Sequence, residues 1–154
     1  MPEFEFLSPS DKPALLAIST PEWQGMAQAA LVELGYKVHI INGADEFLPR
    51  WAQVQYQVCI IEYGFAGAEP GENMALRQLQ WLPMMQRRHC TTFLLGDVFE
   101  TLNAMQAYQQ SVHGVLNYSE MAILNQLIQK VVLDNESFLN SYRDVGARLA
   151  KGKG

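Results

Sequence analysis

Short apolar runs alternate with amphipathic segments along this chain. The runs over 14–20, 37–42, 57–63, 91–97 and 114–118 are mostly apolar instead of alternating polar and apolar, which is the pattern of parallel strands covered on both faces. Between them, helical spacing occupies 21–34, 44–54, 73–88 and 100–110, and a long helical segment begins at Ser119. Local signals mark the boundaries. Thr20-Pro21 reads as an N-cap followed by proline at the first helical position, and Gly35 reads as a C-terminal stop. Gly43 separates the second strand from the second helix, and Ser119 before Glu120 reads as the cap of the last helix. Five strands alternating with helices on short connections call for right-handed βαβ crossovers. The expected fold is α/β: a three-layer, doubly wound, five-stranded parallel sheet of order 2-1-3-4-5 with an extended C-terminal helix.

This pattern divides the chain into a leader (1–13), one domain (14–133), a helical extension (134–150) and a short tail (151–154). The extension needs an explanation of its own. From Met121, the positions Leu124, Ile128, Val131, Asn135, Phe138, Tyr142, Val145 and Leu149 recur at spacings of three and four. One reading is a coiled coil in which the polar Asn135 sets the register, giving a homodimer. The competing reading breaks the helix at Asp134-Asn135, so that a second helix folds back and buries Phe138, Leu139 and Tyr142. The dimer is the favoured expectation.

Composition narrows the function classes. With 154 residues, 49% of them hydrophobic, one full core is available without disulfides or a structural metal. A net charge of −5 argues against general nucleic-acid binding, because phosphate contacts need clustered Lys and Arg. The basic groups Arg87-Arg88-His89 and Arg148, Lys151 and Lys153 read as solvated helix ends. Cys59 and Cys90 lack zinc spacing and read as reduced thiols. The acidic start of the chain and the lack of a long apolar stretch argue against a signal peptide and a membrane span. A cytoplasmic protein without metal or cofactor is expected.

Strand ends decide function in such a fold, because ligands bind outside the carboxyl edge of the sheet. Gly35-Tyr36-Lys37-Val38 after the first helix, and Tyr56-Gln57-Val58-Cys59-Ile60-Ile61-Glu62 along the third strand, resemble the receiver domains of two-component response regulators. The resemblance covers about 14–133. It implies an acidic, magnesium-holding pair at the end of strand one, where Ile18, Ser19 and Thr20 stand. It places Glu62 at the phosphoacceptor aspartate, Gly96 and then Asp97 where a hydroxyl residue is expected, and Asn117-Tyr118 in place of a lysine and proline. Magnesium is usually held by carboxylates plus phosphate, so loss of the pair removes the metal site. Without metal and lysine nothing neutralises charge on a transferred phosphoryl group. The stretch from Phe93 to Asn117 is also similar to a degenerate bacterial receiver group.

The expectation is therefore a pseudo-receiver: a non-enzymatic, phosphorylation-independent protein-interaction module. The alternative is a small-ligand sensor using the crevice lined by Ser19, Thr20, Glu62, Gly96, Asp97 and Asn117, and after it an enzyme of unknown chemistry. Glu62 reads as a solvated carboxylate in preference to a permanent phosphoaspartate mimic, since one charge cannot reproduce a phosphoryl group's. Gly64-Phe65-Ala66-Gly67 with Glu69, Gly71 and Glu72 reads as a mobile acidic loop, not a phosphate cradle. Ser19, Ser111, His39, His89 and His113 lack any nucleophile-elbow motif. Trp23, Trp51, Trp81, Met84 and Met85 read as core. Phe99, Met105, Tyr108 and Tyr118 are candidate anchors on the usual partner surface of receiver-type proteins, formed by the fourth helix, fifth strand and fifth helix.

Overall fold

The computed structural model describes residues 10–152 other than Pro70, with side chains described as far as Leu139. Five parallel strands form one sheet in the order β2-β1-β3-β4-β5. They are β1 (Lys12–Ala17), β2 (Tyr36–Ile40), β3 (Val58–Glu62), β4 (Thr91–Leu95) and β5 (Gly114–Leu116). The helices are α1 (Pro21–Glu33), α2 (Phe47–Gln53), α3 (Met74–Trp81), α4 (Met84–Arg87), α5 (Ala104–Gln110) and α6 (Leu124–Gly152). Order and class are those expected from the sequence pattern.

The apolar runs are explained by burial on both faces. Along β1, Ala14 and Leu16 enter the layer beneath α1 and α6, while Leu15 and Ala17 enter the layer beneath α2, α3 and α5. Gly35 takes a φ of +90°, which a side chain would resist, and so ends α1 and starts β2 without an intervening loop.

Several boundaries differ from expectation. β1 begins at Lys12, inside the supposed leader, and ends at Ala17. Pro13 is tolerated near the strand start, where its carbonyl still accepts from the Gln57 amide. The helix expected over 73–88 is two helices, because Pro83 cannot continue the first and starts the second. Asn117, not Ser119, caps the turn after β5: its side chain accepts from the Ser119 amide at 2.9 Å, and a 3-10 turn (Tyr118–Ile123) leads into α6.

α6 runs from Leu124 to Gly152 without a break, so no separate helix starts at Asp134 and the fold-back reading fails. Its first half is anchored: Leu124, Ile128 and Val131 are buried against the sheet, each worth about 1.5–3 kcal/mol relative to exposure. Asn135 donates to Thr91 Oγ1 at 2.9 Å, which ties the helix to the start of β4. The residue read as a coiled-coil register position thus has an intramolecular partner. Phe138, one turn further, is 69% exposed. The side chains of Tyr142, Val145 and Leu149, and the segments 1–9 and 153–154, lie outside the described residues.

Candidate functional site at the carboxyl edge of the sheet

β3 and β1 lie side by side, with Ala17 opposite Ile61, so the last residue of β3 faces the chain leaving β1. Glu62 is one methylene longer than aspartate and reaches across that gap. Its Oε1 accepts from the Ser19 amide (2.9 Å), the Thr20 amide (3.1 Å) and the Ser19 hydroxyl (3.2 Å). Its Oε2 accepts from the Thr20 and Tyr118 hydroxyls, each at 2.6 Å. The residue is 3% exposed, so the solvated carboxylate expected from the sequence is instead a buried one.

Each donor is held in turn. Thr20 is the N-cap of α1 by backbone geometry, yet its side chain makes no capping bond and its hydroxyl donates to Glu62. Ser19 donates to Glu62 and accepts from the Ala66 amide at 3.1 Å. Tyr118 stacks on Trp23 with ring centroids 4.9 Å apart, which fixes the angle from which its hydroxyl approaches. Asn73, buried at the N-cap of α3, donates to the carbonyls of Glu62 and Tyr63 at 2.8 and 3.1 Å. The loop read as mobile is pinned by these bonds and by Phe65, which is buried.

The electrostatics follow from the donors. Burial alone would raise the Glu62 pKa, but the Thr20 and Tyr118 hydroxyls and the Thr20 and Ser19 amides outweigh it, and the group sits below the ordinary glutamate value. Its position ahead of the α1 N-terminus, where the helix dipole favours an anion, acts in the same direction. Tyr118 shifts the other way: burial and its bond to the carboxylate push the phenol up, so it stays a neutral donor. Glu62 is therefore an anion at neutral pH, with both oxygens occupied by its own chain.

The remaining crevice residues do not converge on it. Gly96 follows β4, and a Cβ there would lie 3.1 Å from Tyr63 Cβ and 3.2 Å from Phe99, so the edge is filled by packing at that point. Asn117 donates to the carbonyls of Asp97 and Phe99 at 3.2 and 2.8 Å, turning the position that resembles the receiver lysine toward its own loop. Asp97 is exposed and meets Asn117 through its backbone carbonyl. The structure thus brings Ser19, Thr20, Glu62 and Tyr118 together and leaves Gly96, Asp97 and Asn117 apart. None of the four cavities delineated among the described residues is lined by Ser19, Glu62, Gly96 or Asn117.

Of the expected surface anchors, Phe99 is buried against Tyr63 and Tyr118 is engaged with Glu62, whereas Met105 and Tyr108 are 64% and 81% exposed. Trp81, Met84 and Met85, expected in the core, are exposed at 67%, 62% and 78%. Trp51 is partly buried and stacks on Phe47. Burial pushes the Cys59 thiol up to about 12 and the Cys90 thiol well above its usual value, so neither is a thiolate at neutral pH. His113 accepts from the Thr92 amide at 2.9 Å, and His39 lies 2.8 Å from the Tyr56 hydroxyl. No group of three His, Cys, Asp or Glu among the described residues is arranged to hold a metal ion, and no helix there is long and apolar enough to cross a membrane.

The roles of Tyr118 and Trp23 were not anticipated from the sequence. A signal was present: where the resemblance expects an acidic pair, an aspartate and a proline, this chain has two hydroxyl residues, a longer acid and a tyrosine. Taken together, those changes exchange a metal-bridged cluster of acids for one acid among donors.

No family model matches the chain, and no curated protein matches it. Solved structures do. The chemotaxis response regulator CheY4 of Vibrio cholerae is similar at 15% identity and a TM-score of 0.63, over 79% of this chain and 99% of that one. A CheY-like receiver domain protein from Methanospirillum hungatei is similar at 14% identity and a TM-score of 0.63, over 83% and 98%. An orphan response regulator of H. pylori is similar at 11% identity and a TM-score of 0.59, over 79% and 96%. At these identities the likeness is one of fold, and the fold is the flavodoxin-like α/β architecture of CheY-type receiver domains.

Proposed function

We propose that this chain is a receiver-like interaction module that signals through binding and is independent of phosphorylation. The observation that carries the reading is the saturation of Glu62. Five hydrogen bonds from Ser19, Thr20 and Tyr118 occupy its two oxygens, so neither is free to attack a phosphodonor or ligate magnesium. Phosphoryl transfer also needs cations around the developing charge, and the positions that resemble the family's acid pair and lysine carry hydroxyls and an amide. Binding is the activity this leaves. A cytoplasmic, non-catalytic protein acting through partners fits the same reading.

The sensor alternative needs an open crevice at the strand ends. That edge is filled instead, by the Glu62 network on one side and by Tyr63, Gly96 and Phe99 on the other. A contact surface is available elsewhere, at the exposed Met105 and Tyr108 on α5.

The test is incubation with acetyl phosphate and magnesium, followed by intact-mass measurement. The mass is expected to stay unchanged. A stable gain of one phosphoryl group that disappears in Glu62→Gln would overturn the proposal.

A further inference from the structure

Pro83 ends α3 and starts the short α4, and between α4 and the C-terminal end of α5 lies a groove of about 520 Å³. Its walls include Met84, Arg87, Arg88, Tyr108, Val112 and His113, and none of its described lining residues is acidic. The other cavities differ in this respect. Asp134 lines the one beside α6, Glu136 lines the one beside Tyr36, and the one beside Trp51 has no arginine. Arg87 donates to the carbonyls of Leu79 and Ser111 at 2.7 and 3.1 Å, which hold its charge in place without neutralising it. Because His113 accepts from the Thr92 amide through Nδ1, its neutral ring carries the proton on Nε2 and offers a further donor. Met84 and Tyr108 stand in water beside these groups, 62% and 81% exposed.

We infer that this groove is the docking site of the chain's own N-terminal segment, with Glu3 and Glu5 toward the arginine side and Phe4 and Phe6 against Met84 and Tyr108. The segment reads Glu3-Phe4-Glu5-Phe6-Leu7, acid and aromatic in alternation, so an extended backbone sets its acids on one side and its rings on the other. That is the complement of a groove with a cationic side and an exposed apolar one.

The segment also enters the fold at the right edge. The Gln57 amide donates to the Pro13 carbonyl, the Thr91 amide to the Gln57 carbonyl and the His113 amide to the Thr92 carbonyl, a row across the amino edge of the sheet. Pro13 and His113 are therefore three strand spacings apart, about 14 Å. The stretch from Glu5 to Pro13 spans up to about 26 Å when extended, which covers that distance and the step from the sheet to the helices. So short a tether gives an effective concentration of about millimolar order, and a weak contact suffices. A second copy docking through the same groove would set Arg87 and Arg88 against their own counterparts, a like-charge contact that opposes association. In the intramolecular arrangement Tyr108 is covered by the segment, so a partner that uses the exposed surface of α5 must displace it.

The inference is independent of the chemistry at Glu62, and its readout differs from that of the phosphodonor test. The experiment places a nitroxide on Pro2→Cys in the full chain and records methionine methyl signals by NMR; Cys59 and Cys90 are buried and stay unlabelled. The Met84 methyl is expected to broaden, while Met74, at the opposite end of α3, stays sharp. Broadening at Met84 should vanish when Glu3→Lys and Glu5→Lys are combined. It should weaken about twofold in Gln109→Glu, which adds an acid to an exposed position of the groove, and persist in Gln109→Lys. A sharp Met84 signal in the labelled chain overturns the inference, as does broadening that survives charge reversal of the segment. Equal loss in Gln109→Glu and Gln109→Lys would overturn the charge pairing. Broadening passed from a labelled chain to a methyl-labelled chain without the nitroxide would assign the contact to a second copy and overturn docking within one chain.

Discussion

The carboxyl edge of the sheet and the flank beside β5 solve opposite problems. At the edge, Glu62 is a buried charge whose cost is offset within the chain by donors from the segment after β1, the α1 N-cap and the turn after β5. At the flank, α5 and α6 leave an apolar groove open next to an exposed Phe138. The first region has fully used hydrogen-bonding capacity and little open surface; the second has open surface and few hydrogen bonds to lose. A receiver-type fold is expected to act at its strand ends. Here that place is polar and closed, and the open apolar surface lies on the helices instead. Substitutions at the edge should therefore cost folding, and substitutions on the flank should cost association.

The strongest way to break this contrast is Glu62→Ala. It strips two amides and three hydroxyls of their acceptor in a nearly closed site, and each amide left unpaired costs about 1–3 kcal/mol. Water entering from the edge would offset part of that. A loss of about 3 kcal/mol in urea unfolding is expected, with no change in oligomeric mass. A loss below about 1 kcal/mol would mean that the network is ornamental to stability.

Tyr118→Phe sharpens the comparison at lower cost. It keeps the ring on Trp23 and removes only the hydroxyl that donates to Glu62 at 2.6 Å. One hydrogen bond to a charged acceptor is lost, so about 1.5 kcal/mol is expected. If the loss equals that of Glu62→Ala, the Tyr118 hydroxyl alone carries the network and the donors from Ser19 and Thr20 add nothing to stability.

The sheet was readable in the sequence because its strands are buried on both faces, and that leaves continuous apolar runs such as Cys59-Ile60-Ile61. Breakpoints were less readable where a single residue overrides the surrounding period. Pro83 splits a segment whose helical pattern otherwise continues, although a proline inside such a pattern is itself a stop signal. The site was least readable. Ser19 and Tyr118 are 43 and 56 positions from Glu62 in sequence, and nothing local to Glu62 distinguishes a solvated carboxylate from one with five donors. The exposed Trp81, Met84 and Met85 were misplaced for two reasons: Trp81 lies two positions past the buried Leu79 and so on the opposite side of α3, and Met84 and Met85 fall on the separate short helix after Pro83, which buries none of its residues.

The smallest effect is expected from pH, because two large influences on Glu62 oppose each other. Burial favours the protonated acid and the donors favour the anion; only the remainder lowers its pKa. In the unfolded chain the group titrates near 4.5, and in the folded chain below that. The folded state then binds fewer protons than the unfolded state through this interval. Its stabilising contribution is complete above about pH 4.5 and is lost as pH falls toward the folded value. Total stability is a poor readout, since His89 and His113 also have lowered pKa values, both through burial and His113 additionally through Arg87, and they lose stability on acidification from higher pH. The difference between the native chain and Glu62→Gln removes that background, because both carry the same histidines while glutamine does not titrate. Measured by urea unfolding from about pH 7 to about pH 3.5, this difference should be flat at first and narrow only below the ordinary glutamate range. A difference that instead widens as pH falls below about pH 6 would mean that burial outweighs the donors and Glu62 has a raised pKa, and the edge would then be a strained site instead of a satisfied one.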